Sequence, residues 1–314
     1  MSKEQKNAPE TAKKENEKVT PLLVIVIPAR NCAGSALRML QEIDSQRNAL
    51  ATKCAQVAMR LRVLVVDDAS DDETRRFLLA WKKSHDYVHV EFMAERSGAG
   101  GCRNYGTKFA MEHMEAKYVA FFDADDFLMP DAIGKIMTVL ATEKVDCVQW
   151  GFRTLNKDPS RDNAWIPKYA NPDEWVTIPV APWLHAIRPH LVAQFPTHLL
   201  TDDAIWWFKQ AQILYEARAK FYFIHEPLYV YDRRTGGCTR ASDYFSAHPT
   251  TLEQAAAENV CTANGFPDRY VSDCLRNLAD MYDMRNTLTG DVYKMFMRRF
   301  KGDIAACWTG HWGW

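Results

Sequence analysis

The stretch Leu22-Leu23-Val24-Ile25-Val26-Ile27-Pro28 decides the fold class of this chain. Six consecutive apolar residues, most of them β-branched, are typical of a fully buried strand in a parallel sheet and are too few to span a bilayer. Proline cannot donate to the ladder of a central strand, so the strand is predicted to end there. The first half of the chain is therefore expected to be built around a buried parallel sheet.

Strands and helices alternate regularly after this stretch. Further strands are predicted at 61–66, 89–93 and 118–122, and helices at 35–58, at 73–84 and from the glycine-rich turn 97–101 to residue 114. This alternation, with polar residues after each strand, indicates an open α/β sheet that binds a ligand at its strand ends. Beyond residue 146 the pattern loosens, with strands predicted at 147–152 and 221–231 and a helix at 202–219.

Composition excludes several classes of protein. The 314 residues include 39 Lys and Arg against 40 Asp and Glu, a net charge of −1, so a nucleic-acid partner is not expected. The eight cysteines form no C-x-x-C pair, which argues against a structural zinc site and a disulfide scaffold. No apolar run approaches the length of a membrane span, and no signal peptide is recognised, so a cytoplasmic protein is predicted.

The segment Phe121-Phe122-Asp123-Ala124-Asp125-Asp126 carries the strongest chemical signal. A hydrophobic strand delivers carboxylates onto a turn, and two carboxylates separated by one residue can share a cation that also binds phosphate. Hard oxygen ligands suit Mn²⁺ or Mg²⁺. An acidic surface turn that leads into a helix capped by Asp131 is the alternative interpretation.

Several segments, in this order, resemble the family 2 glycosyltransferases. They are Val24-Ile25-Val26-Ile27-Pro28-Ala29-Arg30-Asn31, Val65-Val66-Asp67-Asp68-Ala69-Ser70, Ser97-Gly98-Ala99-Gly100-Gly101-Cys102-Arg103-Asn104, Asp123-Ala124-Asp125 and Tyr229-Val230-Tyr231-Asp232-Arg233-Arg234. The resemblance covers about residues 22–239. It implies a GT-A fold, which is a Rossmann-like open mixed sheet flanked by helices, and transfer of a sugar from a nucleotide-sugar donor with inversion.

The resemblance also implies which residues bind the donor and the metal. Asp125 of the DXD motif would bind Mn²⁺ or Mg²⁺, with Asp123 as a second ligand or as a contact to ribose. Asp68 would accept a hydrogen bond from the base, which favours uracil or thymine over cytosine; Asp67 could do the same, or Asp67 or Ser70 could instead cap the next helix. The other expected donor contacts are Pro28, Ala29, Arg30, Arg103, Ala124, Arg233 and Arg234.

A catalytic base is expected in the second half of the chain. The stretch Phe195-Pro196-Thr197-His198-Leu199-Leu200-Thr201-Asp202-Asp203 resembles the family segment whose final acid deprotonates the acceptor hydroxyl. By position that acid is Asp203, and Asp202 is the alternative because it replaces the usual Glu. Both residues would also serve as helix caps.

Three segments are expected along the chain: a disordered tail at 1–19, a GT-A domain at 20–250 and a helical C-terminal extension at 251–314. The domain divides into a nucleotide-binding half at 20–130 and an acceptor-binding half at 131–250. The basic, aromatic stretch 292–301 is expected to pack on the domain, and peripheral contact with the cytoplasmic membrane face is the alternative.

The predicted function is transfer of a sugar from a UDP or TDP donor to a hydroxyl of a growing glycan or of a lipid-linked saccharide. Two alternatives remain open from the sequence. One is a nucleotidyltransferase that acts on sugar phosphates, and the other is a non-catalytic nucleotide-sugar-binding protein. The sequence 31–34 offers little of the basic, glycine-rich signature that the first alternative needs.

Overall fold

The structure, a computed structural model of the chain, describes residues 19–167, 181–195, 206, 210, 213, 214 and 216–234. The predicted extension at 251–314 lies outside these residues, and so does the predicted tail at 1–19 except for Val19. The predicted domain boundaries therefore stay predictions.

The first half of the chain alternates strands and helices as predicted. Its elements are β1 (Leu23–Ala29), α1 (Ala33–Ala58), β2 (Leu61–Asp67), α2 (Thr74–Ser84), β3 (Val88–Phe92), α3 (Gly98–Glu112) and β4 (Tyr118–Phe121). Residues 23–27 are almost completely buried, which agrees with the apolar run that predicted β1. The buried residues of α1 recur every three to four positions, for example Ala36, Met39, Leu40 and Ile43, so one face of this helix covers the sheet.

After β4 the described residues contain helix α4 and five further strands. They are β5 (Phe127–Leu128), α4 (Ala132–Thr142), β6 (Cys147–Leu155), β7 (Ala164–Trp165), β8 (His185–Ile187) and β9 (Phe221–Asp232). The sequence predicted β6 and β9 but not β5, β7 and β8, which have only two or three residues each. Residues 206, 210, 213, 214 and 216 are helical and fall inside the helix predicted at 202–219.

The nine described strands form one mixed sheet in the order β3-β2-β1-β4-β8-β6-β9-β5, with β7 paired to β6. The first four strands in this order are parallel. Strand β8 is antiparallel to both β4 and β6, and it joins the parallel part of the sheet to β6 and β9. The predicted fold class, an open mixed sheet flanked by helices, is confirmed. No helix in the described ranges has the length and apolar character of a membrane span.

Candidate active site

The strand order reverses direction between β1 and β4, because β2 lies on one side of β1 and β4 on the other. In open α/β sheets a ligand binds outside the carboxyl ends of the strands at such a switch point. Pro28 and Ala29 end β1, and Asp123 to Asp126 follow β4. The pairing of β1 with β4 stops at Val26, so Pro28 lies beyond that ladder. We call the space between these two strand ends the switch-point crevice.

Arg30 joins the turn after β1 to the turn after β2. One guanidinium nitrogen, Nη1, donates to the backbone carbonyls of Asp68 and Ala69, at 2.7 Å each. Asn31 and Ala69 both have positive φ, 46° and 52°, in a region that residues with a side chain rarely adopt. Because the Arg30 bonds hold this backbone, the edge of the crevice is fixed before any ligand arrives.

Asp68 is buried, and both of its carboxylate oxygens already accept hydrogen bonds. Oδ1 accepts from the backbone N–H of Ser97 at 2.6 Å and Oδ2 from that of Gly98 at 3.0 Å, so Asp68 ties the end of β2 to the start of α3. Asp67 is also buried and accepts from the backbone N–H and the hydroxyl of Ser70. The sequence left open whether Asp67 or Ser70 caps α2. Neither does, because α2 begins after Glu73 with no side-chain cap and the two residues bond to each other instead.

Residues 97–101 were predicted to form a turn that precedes the helix, and this prediction is wrong. Residues 98–101 are the first turn of α3, and Gly100 and Gly101 are buried. Only Gly98 has a positive φ, 72°. Gly106 serves helix packing instead, since a Cβ there would lie 2.3 Å from Cγ1 of Val26 on β1. Helix α3 therefore begins at Gly98, whose backbone N–H donates to Asp68, and Gly106 lets the helix lie close to β1.

Arg103 reaches the crevice from α3 but contacts a carboxylate. Its Nη2 lies 2.7 Å from Oδ1 of Asp123, and its guanidinium lies 5.3 Å from the ring centroid of Phe195. The Arg103 side chain is 4% exposed and that of Asp123 26% exposed. Arg103 therefore orients Asp123 directly.

The turn after β4 is anchored by Asp126 and Tyr229, to which the sequence assigned no role. The Tyr229 hydroxyl donates to Oδ2 of Asp126 at 2.8 Å and accepts from the backbone N–H of Asp123 at 2.9 Å. The other Asp126 oxygen accepts from the backbone N–H of Asp232 at 2.8 Å. Burial, and then the charges of Asp123 and Asp125, raise the pKa of Asp126 well above its ordinary value.

Asp125 differs from the other acids of the crevice. Asp67, Asp68, Asp123 and Asp126 each accept at least one hydrogen bond from another residue. Across the described ranges, no other residue donates to the Asp125 carboxylate. Burial, and next the charge of Asp123, raise its pKa. A half-buried carboxylate beside a second negative charge is the site where a bound cation is most favourable.

The donor set fits one divalent ion together with phosphate oxygens. The described residues contain no group of three or more His, Cys, Asp or Glu side chains that could hold a metal. Mg²⁺ and Mn²⁺ are commonly held by one or two carboxylates and by substrate phosphates, so Asp125 with Asp123 is a sufficient protein contribution. Ala124, between them, is buried.

The two arginines after β9 differ in their contacts. Arg234 forms a two-point ion pair with Asp232, from Nε to Oδ1 at 2.8 Å and from Nη2 to Oδ2 at 3.0 Å. Its guanidinium lies 5.8 Å from the ring centroid of Phe127, which places it near the acidic turn. The backbone N–H of Arg233 donates to the carbonyl of Leu155. The pair with Asp232 lowers the pKa of that acid, so Arg234 brings little uncompensated charge.

The expected base, Asp203, and its alternative, Asp202, lie outside the described residues. The described residues that flank them are placed beside β4. Phe195 stacks on Trp206 at 4.7 Å and packs edge-on against Phe121 at 5.1 Å. Asn104 of α3 holds the backbone of Phe195 with two hydrogen bonds, at 2.9 and 2.7 Å.

Comparisons with known proteins agree with this architecture. Residues 24–179, about half of the chain, match the family model "Glycosyl transferase family 2". An uncharacterized glycosyltransferase of Rickettsia typhi is 23% identical over 275 residues, which are 81% of this chain and 79% of that protein. The putative teichuronic acid biosynthesis glycosyltransferase TuaG of Bacillus subtilis is 38% identical over 96 residues, 31% of this chain and 36% of TuaG.

Two solved structures share the fold. One is Staphylococcus aureus TarS in complex with UDP-GlcNAc, with a TM-score of 0.54 and 16% identity, covering 92% of this chain and 79% of that one. The other is the mannosyltransferase PcManGT from Pyrobaculum calidifontis in complex with GDP-Man and Mn²⁺, with a TM-score of 0.50, 16% identity and coverage of 93% and 84%. Both are GT-A glycosyltransferases. The resemblance stated from the sequence motifs is confirmed, and the chain belongs to glycosyl transferase family 2.

Proposed function

We propose that this glycosyltransferase moves a sugar from a UDP or TDP donor to an acceptor hydroxyl, with inversion and with the help of a divalent cation. The observation that carries the proposal is the Asp125 carboxylate, which receives no hydrogen bond from another described residue although it is half-buried beside Asp123. Asp125, with Asp123, would hold a divalent cation, which would supply Lewis-acid stabilisation of the negative charge on the diphosphate leaving group. The PcManGT complex, which contains Mn²⁺, supports this assignment.

Binding of the donor is proposed along the switch-point crevice. Pro28, Ala29 and Arg30 would border the nucleoside, since Arg30 fixes the turn after β2. Each carboxylate oxygen has two lone pairs, so Asp68 can accept an imide N–H from uracil or thymine while it keeps its bonds to α3. The TarS complex with UDP-GlcNAc supports a pyrimidine, whereas the PcManGT complex contains a guanine nucleotide.

The diphosphate would lie between the acidic turn and the arginines. Asp123 is held by Arg103, so Arg103 acts on the donor through the orientation of Asp123. Ala124, with its small buried side chain, leaves the backbone of the turn accessible at close range. Arg233 and Arg234 approach from the end of β9, and Arg234 also keeps Asp232 in place beneath Asp126.

Asp203 is proposed as the base, with Asp202 as the alternative. The acceptor oxygen would attack the anomeric carbon while the bond to the diphosphate breaks on the opposite face, and the carboxylate would take the hydroxyl proton. No covalent sugar–enzyme intermediate forms in such a step. The name of the relative TuaG, which refers to teichuronic acid biosynthesis, supports a polysaccharide as the acceptor class.

The test compares wild type, Asp125→Asn and Asp203→Asn in two measurements. Binding of UDP and UDP-sugars is measured by calorimetry with and without Mn²⁺. Products are separated after incubation with a UDP-sugar and, separately, with UTP and a sugar 1-phosphate, which distinguishes release of UDP from release of inorganic pyrophosphate. Asp125→Asn should lose the Mn²⁺-dependent part of binding. Asp203→Asn should bind donor normally but lose transfer by about 10²–10⁴-fold.

Asp86→Asn, at an exposed carboxylate at the end of α2, is the matched control and should change neither measurement. Unchanged metal dependence in Asp125→Asn would move the cation site elsewhere. Retained transfer in Asp203→Asn would shift the role of base to Asp202. Release of pyrophosphate would favour the nucleotidyltransferase alternative. Binding of the donor without any turnover in wild type would favour the non-catalytic alternative.

A further inference from the structure

Helix α1 presents three polar side chains, Arg38, Glu42 and Gln46, to the segment that follows β4. Residues four positions apart lie above one another on a helix, so the three form a single stripe. Arg38 Nη2 donates to the carbonyl of Asp125 at 2.8 Å, and Glu42 Oε2 accepts from the backbone N–H of Leu128 at 2.8 Å. We call these three side chains the α1 stripe.

Gln46 extends the same pattern. Its Nε2 donates to the carbonyl of Met129 and its Oε1 accepts from the backbone N–H of Ile133, both at 3.0 Å. The α1 stripe thus makes four hydrogen bonds to the backbone between Asp125 and Ile133. That stretch includes only the two-residue strand β5 before α4 begins, so much of its backbone depends on side chains for partners.

Arg38 has a second contact that restricts its orientation. Its guanidinium lies 4.0 Å from the ring centroid of Phe127, so the planar group stacks on the aromatic ring while it donates to Asp125. Within the described residues its Nε is buried and has no hydrogen-bond partner. A half-buried guanidinium that stacks on a ring and makes one hydrogen bond is held for the geometry of that bond.

From this geometry we infer that Arg38 is a positioning residue that fixes Asp125 for cation binding, with Glu42 and Gln46 fixing the rest of the turn. The inference rests on the proposed function, because Asp125 is the cation ligand proposed there. Arg38 acts on the backbone carbonyl of Asp125 and leaves the carboxylate of that residue available. Partners that orient a ligating carboxylate change metal affinity about 10- to 100-fold when they are removed.

The chain offers a matched control on the same helix. Arg47 stacks on Tyr87 at 4.2 Å, and its Nε is also buried, but it lies at the opposite end of the sheet strands from Asp125. Arg47→Met therefore removes the same kind of contact as Arg38→Met without touching the acidic turn. Lys cannot stack and donate as a planar group does, so Arg38→Lys tests geometry apart from charge.

The experiment titrates the full chain with Mn²⁺ in the presence of UDP and follows free Mn²⁺ by electron paramagnetic resonance. Arg38→Met is expected to weaken Mn²⁺ binding by at least about tenfold, and Arg38→Lys by a smaller factor that is still measurable. Arg47→Met should stay within about twofold of wild type. Circular dichroism and thermal unfolding check that each variant folds.

Glu42 provides a second test if Arg38→Met does not fold. Glu42→Gln keeps an oxygen that accepts from Leu128, and it should bind Mn²⁺ like wild type. Glu42→Leu removes that acceptor and should weaken Mn²⁺ binding. Normal Mn²⁺ affinity in both Arg38→Met and Glu42→Leu, with loss in Asp125→Asn, would overturn the inference and leave the proposed function intact. Absence of Mn²⁺-dependent UDP binding in wild type would overturn both.

Discussion

The Tyr229 hydroxyl connects the acidic turn after β4 to strand β9. It donates to Asp126 and accepts from the backbone N–H of Asp123, and its ring stacks on Trp183 with centroids 4.6 Å apart. Burial, and next the charge of Asp126, raise the pKa of Tyr229, so the phenol keeps its proton and remains a donor. A fixed hydroxyl at this place holds the backbone of Asp123 and the carboxylate of Asp126 relative to each other.

Tyr229→Phe tests this role because it removes only the oxygen. The change leaves a buried carboxylate oxygen and a buried N–H without their partner, and each such group costs about 1–3 kcal/mol. We expect the free energy of unfolding in urea to fall by about 2 kcal/mol or more. Tyr105→Phe, which removes an exposed hydroxyl bonded to Glu91, should change it by less than about 0.5 kcal/mol. Equal losses in the two variants would contradict the bridging role.

Burial of the His185 ring leads us to expect that the stability of the protein depends on pH. The ring is fully buried against Gln149, and burial lowers the pKa of His185 to about 3. Below pH 6.5 the unfolded chain binds a proton at this residue that the native protein does not. The contribution of the neutral, buried His185 to the free energy of unfolding is therefore complete above pH 6.5. It is lost as the pH falls toward 3, at about 1.4 kcal/mol per pH unit.

Urea unfolding of wild type and His185→Gln at pH 7 and pH 5 isolates this contribution. Between these pH values wild type should lose about 2 kcal/mol more than the variant, because only wild type carries the buried imidazole. Other acids titrate equally in both proteins and cancel in the comparison. Parallel losses would show that His185 is protonated in the native state.

At the scale of residues, the sequence identified the acids of the crevice but not their partners. Asp123, Asp125 and Asp68 follow buried strands, and this placement can be predicted from local pattern. Their partners cannot, because Tyr229 is 106 positions from Asp123 and Asp68 bonds to an amide 29 positions away. The Arg38 contact spans 87 positions. Such contacts depend on which strands are neighbours.

At the scale of elements, helix α3 shows how closely a helix can approach β1. Gly106→Ala would place a Cβ 2.3 Å from Cγ1 of Val26, so the helix must move away from the sheet. Overpacking of this kind costs about 1–3 kcal/mol. The double variant with Val26→Ala should recover part of the loss in urea unfolding.

Gly34 in α1 is the matched control, because a Cβ there meets no atom within 4 Å. Gly34→Ala should increase the free energy of unfolding by roughly 0.5–1 kcal/mol, the gain in helix propensity. A loss of similar size in both variants would mean that the close approach of α3 is not what Gly106 provides.

Elements with a strong local pattern were predicted within one to three residues of their observed ends. Strands β1 and β4 are continuous apolar runs, β2 and β6 are largely apolar, and α1 and α2 show helical periodicity. The short strands β5, β7 and β8 carry too few residues to show any period. They exist because a neighbouring strand offers free backbone groups, which is a tertiary cause. The glycine-rich turn was misassigned for a related reason, since Asp68, from another strand, caps α3.

At the scale of the whole molecule, the near-neutral charge conceals a polarised crevice. The acids after β2 and β4 face the same edge of the sheet, because parallel strands bring their carboxyl ends together. Three arginines reach this region. Arg38 of α1 holds the backbone of Asp125, Arg103 of α3 pairs with Asp123, and Arg234 pairs with Asp232 at the end of β9. Among the acids of the crevice, Asp125 is the one whose carboxylate accepts no hydrogen bond from another described residue. A divalent cation there would balance part of the negative charge of this acid and of a bound diphosphate.

This balance predicts that nucleotide and cation stabilise the whole chain together. Thermal unfolding with UDP, TDP, GDP or CMP, each with and without Mn²⁺, should show the largest rise in Tm for UDP or TDP with Mn²⁺. A ligand at 100 times its Kd adds about 2.7 kcal/mol, which corresponds to a Tm rise of roughly 5–10 °C for a chain of this size. CMP should give less, because cytosine lacks the imide N–H that would donate to Asp68 and because CMP has one phosphate group fewer than UDP. A larger shift with GDP would contradict the assignment of Asp68, while equal shifts with and without Mn²⁺ would contradict that of Asp125. The choice of base tests the role of Asp68 and the presence of Mn²⁺ tests the role of Asp125, so one experiment checks the two assignments separately.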